Sequence, residues 1–231
     1  MCRFFSFVVV RGSSQSPDQY LWRWFTDSHS EILACAGVDD SKLDRLDKAK
    51  CEMVPQSADD MLSPDKWEFV VDEDVRPGWF DEDAENRARK WAEGLVRSRT
   101  ITSGQRRGIY DGWWIVAKNA VVHNVGGGAR IIHVRDSAQI SNVGDSAKIS
   151  DVRDSAQISG VWDSAQISGV WDSAQISDVR DSAQISGVWD SAQISDVRDS
   201  AKISGVGDSA KIIGVGCDVI LDASAKMALK K

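Results

Sequence analysis

From Val134 to Gly214 the chain is a tandem array with a period of nine residues: VRDSAQISN, VGDSAKISD, VRDSAQISG, VWDSAQISG, and so on to VGDSAKIIG. A fixed short period is the signature of a stacked solenoid, in which every layer packs on copies of itself. The same regularity argues against an active site in this half. Catalysis needs different groups converging on one point, whereas a repeat presents the same group in every layer.

One repeat, Val152 to Gly160, carries the local logic. Ala156 and Ile158 alternate with polar Gln157 and Ser159, the pattern of a half-buried strand with Ala and Ile inward. An odd period must break that alternation once per repeat. The last position (Asn, Asp or Gly) and the Asp-Ser pair are the places to break it, because Asp and Ser side chains bond nearby amides at tight corners. A closed coil of nine residues is too small to hold a core, so two repeats make the smallest plausible coil and residues eighteen apart stack. The segment Val-x-Asp-Ser-Ala-x-Ile resembles one side of a left-handed hexapeptide β-helix, although strict six-residue spacing is not kept. Degraded repeats extend the phase upstream (Val116, Ala120, Val122; Val125, Ala129, Ile131) and downstream (Val215, Val219, Leu221). The expectation is about six coils, roughly 29 Å long at about 4.8 Å per layer. The fold class expected is a small α+β N-terminal domain followed by a β-solenoid, a parallel β-helix of nine-residue repeats with two per coil. The boundaries read as 1–112, 113–223, and 224–231 as a C-terminal cap that protects an open sheet edge.

The repeats differ mainly just after their Val, where Arg, Trp or Gly stands, and the residue before that Val changes in step. Asp151 goes with Arg153, Asp178 with Arg180 and Asp196 with Arg198; Gly160 goes with Trp162, Gly169 with Trp171 and Gly187 with Trp189. If both positions face outward, Asp can pair with Arg, and Gly leaves room for a flat indole. Whole-unit duplication explains the same covariation and is compatible with it. Eighteen-residue stacking places Arg135, Arg153, Trp171, Trp189 and Gly207 on one edge, and Gly144, Trp162, Arg180 and Arg198 on the other. Arg153 over Trp171 and Trp162 over Arg180 would each contribute about 0.5–1 kcal/mol when exposed. These ladders either stabilise and cover the rod or form a docking surface, since Trp and Arg are enriched at binding hot spots. The candidate partner contacts are Arg153, Trp162, Trp171, Arg180, Trp189 and Arg198. The Gly-Gly-x-Gly turn of calcium-binding nonapeptide arrays is missing, and an ice-binding face is interrupted by the Trp and Arg edges. The sequence therefore implies no cofactor and no metal.

Charge narrows the partners. The net charge is −7 and the pI near 5.0, which argues against a general nucleic-acid binder that needs clustered Lys and Arg. The array half contains Asp but no Glu. Cys2, Cys35, Cys51 and Cys217 form no CxxC pair, so a reducing cytosol is expected, with no membrane association. The apolar start MCRFFSFVVV is too short to span a bilayer and lacks a cleavage site, and reads as a first strand.

The N-terminal region reads as mixed α and β: strands at 3–10, 19–25, 50–54 and 67–72, a short helix opened by the capping box Ser28-x-x-Glu31, and a charged helix from Asp81 to about Arg97. Ala84, Ala88, Trp91 and Leu95 are spaced as its buried stripe, and Asp81, Glu82, Asp83 and Glu85 suit the helix dipole. Loss of Met1 would leave Cys2 beside a free α-amine, the arrangement of N-terminal nucleophile hydrolases. His29 could activate it, with Asp27 orienting the ring. The simpler reading takes Asp27 and Ser28 as helix-start residues. The opening Met-Cys-Arg also resembles that of class II glutamine amidotransferases, over three residues only.

Over most of its length the chain resembles a group of uncharacterised bacteriophage and prophage proteins. The matching stretches are Met1–Ser6, Asp27–Ile32, 67–74, 79–82 and the array from Val134 onward. The resemblance implies a phage origin and no particular activity. The function expected is a non-enzymatic binding protein of the bacterial host cytosol whose solenoid docks a host or phage protein. An N-terminal-nucleophile enzyme using Cys2 and a self-assembling homo-oligomeric rod are the alternatives.

Overall fold

A computed structural model describes residues 5–13, 15–23, 26–41, 47–72 and 76–229. The chain divides into two compact units, residues 1–98 and 99–231.

The first unit is built on a four-stranded antiparallel sheet. Its strands are β1 (Phe5–Val10), β2 (Gln19–Trp22), β3 (Lys48–Val54) and β4 (Glu68–Val71), in the order β2-β1-β3-β4. On one face Phe5 and Phe7 meet Trp91 of helix α2 (Glu82–Ser98), with ring centroids 6.4 and 5.2 Å away. Asp81 caps α2, its carboxylate accepting the Ala84 N–H at 2.9 Å. The fully buried stripe of α2 is Ala84, Ala88, Ala92 and Val96, while Trp91 and Leu95 flank it half-buried. Small alanines bring the helix close enough for Trp91 to reach the aromatic sheet face. On the other face helix α1 (His29–Cys35) sets Ile32 and Leu33 against Val8. Ser28 is its N-cap, accepting the Glu31 N–H at 3.4 Å.

The second unit is a parallel β-solenoid of about seven coils, with two nine-residue repeats per coil. One sheet has eight strands: β5 (Thr100–Ile101), β7 (Trp113–Val116), β9 (Arg130–Val134), β11 (Lys148–Val152), β13 (Gln166–Val170), β15 (Gln184–Val188), β17 (Lys202–Val206) and β19 (Ile220–Leu221). The facing sheet has seven: β6 (Gln105–Arg106), β8 (Val121–Val125), β10 (Gln139–Val143), β12 (Gln157–Val161), β14 (Gln175–Val179), β16 (Gln193–Val197) and β18 (Lys211–Val215). Consecutive strands therefore alternate between sheets. From β8 onward each paired residue meets the one eighteen positions on, as Ile158 does with Ile176, while the first coil pairs fifteen to seventeen residues apart. Between the sheets the Ala, Ile and Val of every repeat from Ala129 to Ile212 are buried.

The alternation breaks where the pattern requires it. Ile158 and Val161 both point inward because the residue between Ser159 and Val161 takes a left-handed conformation. Gly fills that place at 160, 169, 187, 205 and 214, and Asp fills it at 151, 178 and 196. Both tolerate positive φ better than other residues do. The second break is the Asp-Ser corner. A turn closes by the Ala156 N–H donating to the Arg153 carbonyl at 3.2 Å, with Asp154 at φ +59°. The corner Asp also reaches across layers: the Asp136 N–H donates to Asp154 Oδ2 at 3.0 Å, and the Asp154 N–H to Asp172 Oδ2 at 3.2 Å. The opposite corner repeats the scheme through Asp145, Asp163, Asp181 and Asp199. Each carboxylate thus satisfies the one amide that the corner would leave without a ladder partner.

The solenoid unit begins at Arg99, before the 112/113 boundary read from the sequence. Thr100 and Ile101 pair with Ile115 and Val116, and Gln105 and Arg106 with Val121 and Val122, so residues 99–112 form a coil of their own. That accounts for about seven coils where the repeat count gives six. Arg99 and Arg106 of this first coil lie with their guanidinium groups over the Trp114 ring of β7, at 4.9 and 4.1 Å. At the far end helix α3 (Ala223–Ala228) lays Ala225 and Ala228 on the core, capped by Asp222, which accepts the Ala225 N–H at 2.8 Å.

Candidate functional site

Each coil has two corners, on opposite edges of the paired sheets. The residue after each Val opens a corner, so the six candidate contacts divide into two sets of three. Arg153, Trp171 and Trp189 stack on one edge, and Trp162, Arg180 and Arg198 on the other. On the first edge the Arg153 guanidinium lies 5.5 Å from the Trp171 ring, and Trp171 stacks on Trp189 with centroids 5.9 Å apart and planes at 21°. The stack stops at Gly207, where an added Cβ would come within 2.3 Å of Trp189 Cζ3. On the second edge Arg180 lies 4.9 Å from the Trp162 ring, and Trp162 leans over Gly144, leaving no space for a Cβ there. A single flat partner surface could not touch both edges.

Stacking has a cost in exposure. Arg153, Trp162, Trp171, Arg180 and Trp189 are half-buried, and of the six Arg198 alone is exposed. The ion pairs follow the sequence covariation in part. Asp151 accepts from Arg153 Nε at 2.5 Å, as the Asp-x-Arg pairing anticipates. Asp178 pairs instead with Arg198 of the next coil. Asp151 also meets His133 Nδ1 at 2.5 Å, its neighbour one coil earlier in the same column. Burial pushes the Asp151 carboxyl up, but hydrogen bonds from His133 and Arg153 outweigh it and hold the group below its ordinary value of 3.8.

The outer sheet faces carry columns of Gln or Lys beside columns of Ser, such as Gln166, Gln184 and Lys202 beside Ser168, Ser186 and Ser204. One trough is lined by Gln, Ser and Ile together with Lys148, Lys202 and Asp222, the other by Gln, Ser and Ile. The enzymatic alternative falls on other residues. Cys2 lies outside the described residues. His29 is buried, whereas Asp27 is exposed. The carboxylates near the His29 ring are Asp72 and Glu52, not Asp27: His29 Nδ1 is 3.7 Å from Asp72 Oδ2, and Nε2 is 3.3 Å from the Cys51 carbonyl. Asp72 follows β4, in another part of the chain, so adjacency in sequence could not reveal it.

Fold and edges together define a small α/β unit joined to a parallel β-solenoid that displays aromatic and cationic stacks. Compared with family models, curated proteins and solved structures, the chain matches none. Among the described residues no helix is long and apolar enough to cross a membrane.

Proposed function

We propose that the chain is a non-enzymatic, phage-encoded binding protein whose solenoid edges dock a macromolecular partner, a host or phage protein. The observation that carries this reading is the Arg153–Trp171–Trp189 stack. Equivalent corners close with Gly at 144 on one edge and at 207 on the other, so an indole is not needed to make the turn. Large amphipathic side chains surplus to the turn are the material of interaction hot spots. Stacking also fixes their rotamers beforehand, which lowers the entropy lost on binding. The resemblance of Met1–Ser6, Asp27–Ile32 and the array to phage and prophage proteins supports the origin.

The test compares the full chain with a Trp162→Ala, Trp171→Ala, Trp189→Ala variant in affinity capture from host lysate, with and without phage infection. A stoichiometric partner retained by the native chain and lost at least tenfold by the variant is the expected result. Unchanged retention by a variant with native circular dichroism overturns the edge as the docking surface.

A further inference from the structure

In the first unit the turn between β1 and β2, the segment before α2 and α2 itself border an open cleft of about 440 Å³. That volume lies in the range of small-molecule sites. Arg11 and Asp18 line it from the turn, Tyr20 from β2, Trp79 from the segment before α2, and Arg87 from α2.

The turn is closed tightly. The Gly12 N–H donates to Asp18 Oδ1 at 2.9 Å, and the Ser16 N–H to the Ser13 carbonyl at 3.2 Å. A Cβ at Gly12 would stand 2.2 Å from the Ser16 carbonyl oxygen, so only glycine lets the two arms approach this closely. The approach sets the Ser13 and Ser16 hydroxyls 3.1 Å apart on the wall of the cleft. One of them donates to the other, which leaves one hydroxyl proton for a ligand.

The charged groups are unevenly matched. Asp18 divides its carboxylate, with Oδ1 on Gly12 and Oδ2 3.5 Å from Arg87 Nη2. Arg87 is 58 % exposed, and this single long pairing leaves most of its N–H groups to other acceptors. Arg11 meets no carboxylate among the described residues; its guanidinium lies 5.9 Å from the centroid of the Trp79 ring. The Tyr20 ring stacks on Trp91 at 5.1 Å, yet its hydroxyl makes no hydrogen bond among the described residues.

The cleft therefore holds two guanidinium groups against one carboxylate, in a chain whose net charge is −7. It is rich in donors, while its carboxylate acceptor is already engaged. Guanidinium forks match phosphate oxygens in pairs. A phosphate monoester brings three acceptor oxygens and a charge of about −1.5 to −2, which two arginines balance. The half-buried indole beside them is a stacking surface of the kind that receives nucleobases. We propose that this cleft binds a nucleoside monophosphate. Exposed Arg11 leaves the indole and joins Arg87 on the phosphate, and the base takes its place on Trp79. The sequence reading named no cofactor, because these residues come from distant segments and share no spacing motif.

The test titrates the full-length protein by calorimetry with AMP, GMP, CMP and UMP, and with adenosine and inorganic phosphate as half-ligands. One equivalent per chain of at least one nucleotide is expected, with both half-ligands at least tenfold weaker. Arg11→Ala and Arg87→Ala, both at exposed positions, should each weaken binding about tenfold, as loss of a charge-assisted contact does. Asp18→Asn keeps an acceptor for Gly12 and removes the opposing charge, so it should tighten binding a few-fold, which a merely structural role would not do. Absence of binding by all four nucleotides, inorganic phosphate binding as tightly as they do, or binding that survives both arginine substitutions with native circular dichroism overturns the proposal.

Discussion

At the scale of residues, the solenoid depends on what Asp can do that most residues cannot. It takes a left-handed corner with little strain and offers its carboxylate to the amide of the preceding layer. Stacked carboxylates repel one another, and donated N–H groups offset that repulsion in each layer. Asp151 adds a pH-dependent element. Its carboxyl titrates below 3.8 in the folded chain because the hydrogen bonds from His133 and Arg153 outweigh burial. The unfolded chain takes up this proton first, so the stabilisation is complete above the ordinary carboxyl value and disappears as pH falls through the lower folded value. Asp151→Asn keeps the left-handed backbone and loses the charge. Its deficit should be about 1.5–3 kcal/mol near neutrality, the range for hydrogen bonds to charged groups, and should shrink below about pH 4. Denaturant melts of both proteins at several pH values check this; a gap independent of pH contradicts it. The Arg153 partnership was legible in the Asp-x-Arg covariation. The His133 contribution was not, because His133 precedes the regular repeats and meets Asp151 only through the eighteen-residue stack.

Elements show where sequence patterns carry information and where they do not. The strands from β8 to β18 were readable because Ile and Val recur with Ala at fixed spacing, and the left-handed positions announced themselves as Gly or Asp. The first coil was not readable: β5 and β6 are two residues each, carry no Val-x-Asp-Ser signal, and join through backbone pairing alone. In the first unit α2 was placed correctly, but its buried stripe turned from Trp91 and Leu95 to Ala92 and Val96. The indole packs sideways on Phe7 and Tyr20 instead of beneath the helix. At the other end, α3 covers the last Ala, Ile and Val layer with Ala225 and Ala228. Removing residues 223–231 should expose that layer and the outer strand edges. Sedimentation velocity should then show concentration-dependent association that the full chain lacks. Identical profiles for both proteins would mean that α3 does not act as a cap.

For the whole molecule, everything proposed about the edges rests on eighteen residues making one layer. That spacing sets Arg153 against Trp171, divides the six candidate contacts between two edges, and gives about seven coils. Coils alike in their core let the edge residues vary from layer to layer without disturbing the fold. Spin labels at Ser137 and Ser209, both exposed corner residues on the same edge, test the spacing directly. Two repeats per coil place these sites four layers apart, about 19 Å at about 4.8 Å per layer. A dipolar distance distribution centred near that value, broadened by the label linkers, is the result expected. A distribution centred near about 38 Å, as one repeat per layer would give, would contradict the stacking and the edge ladders with it.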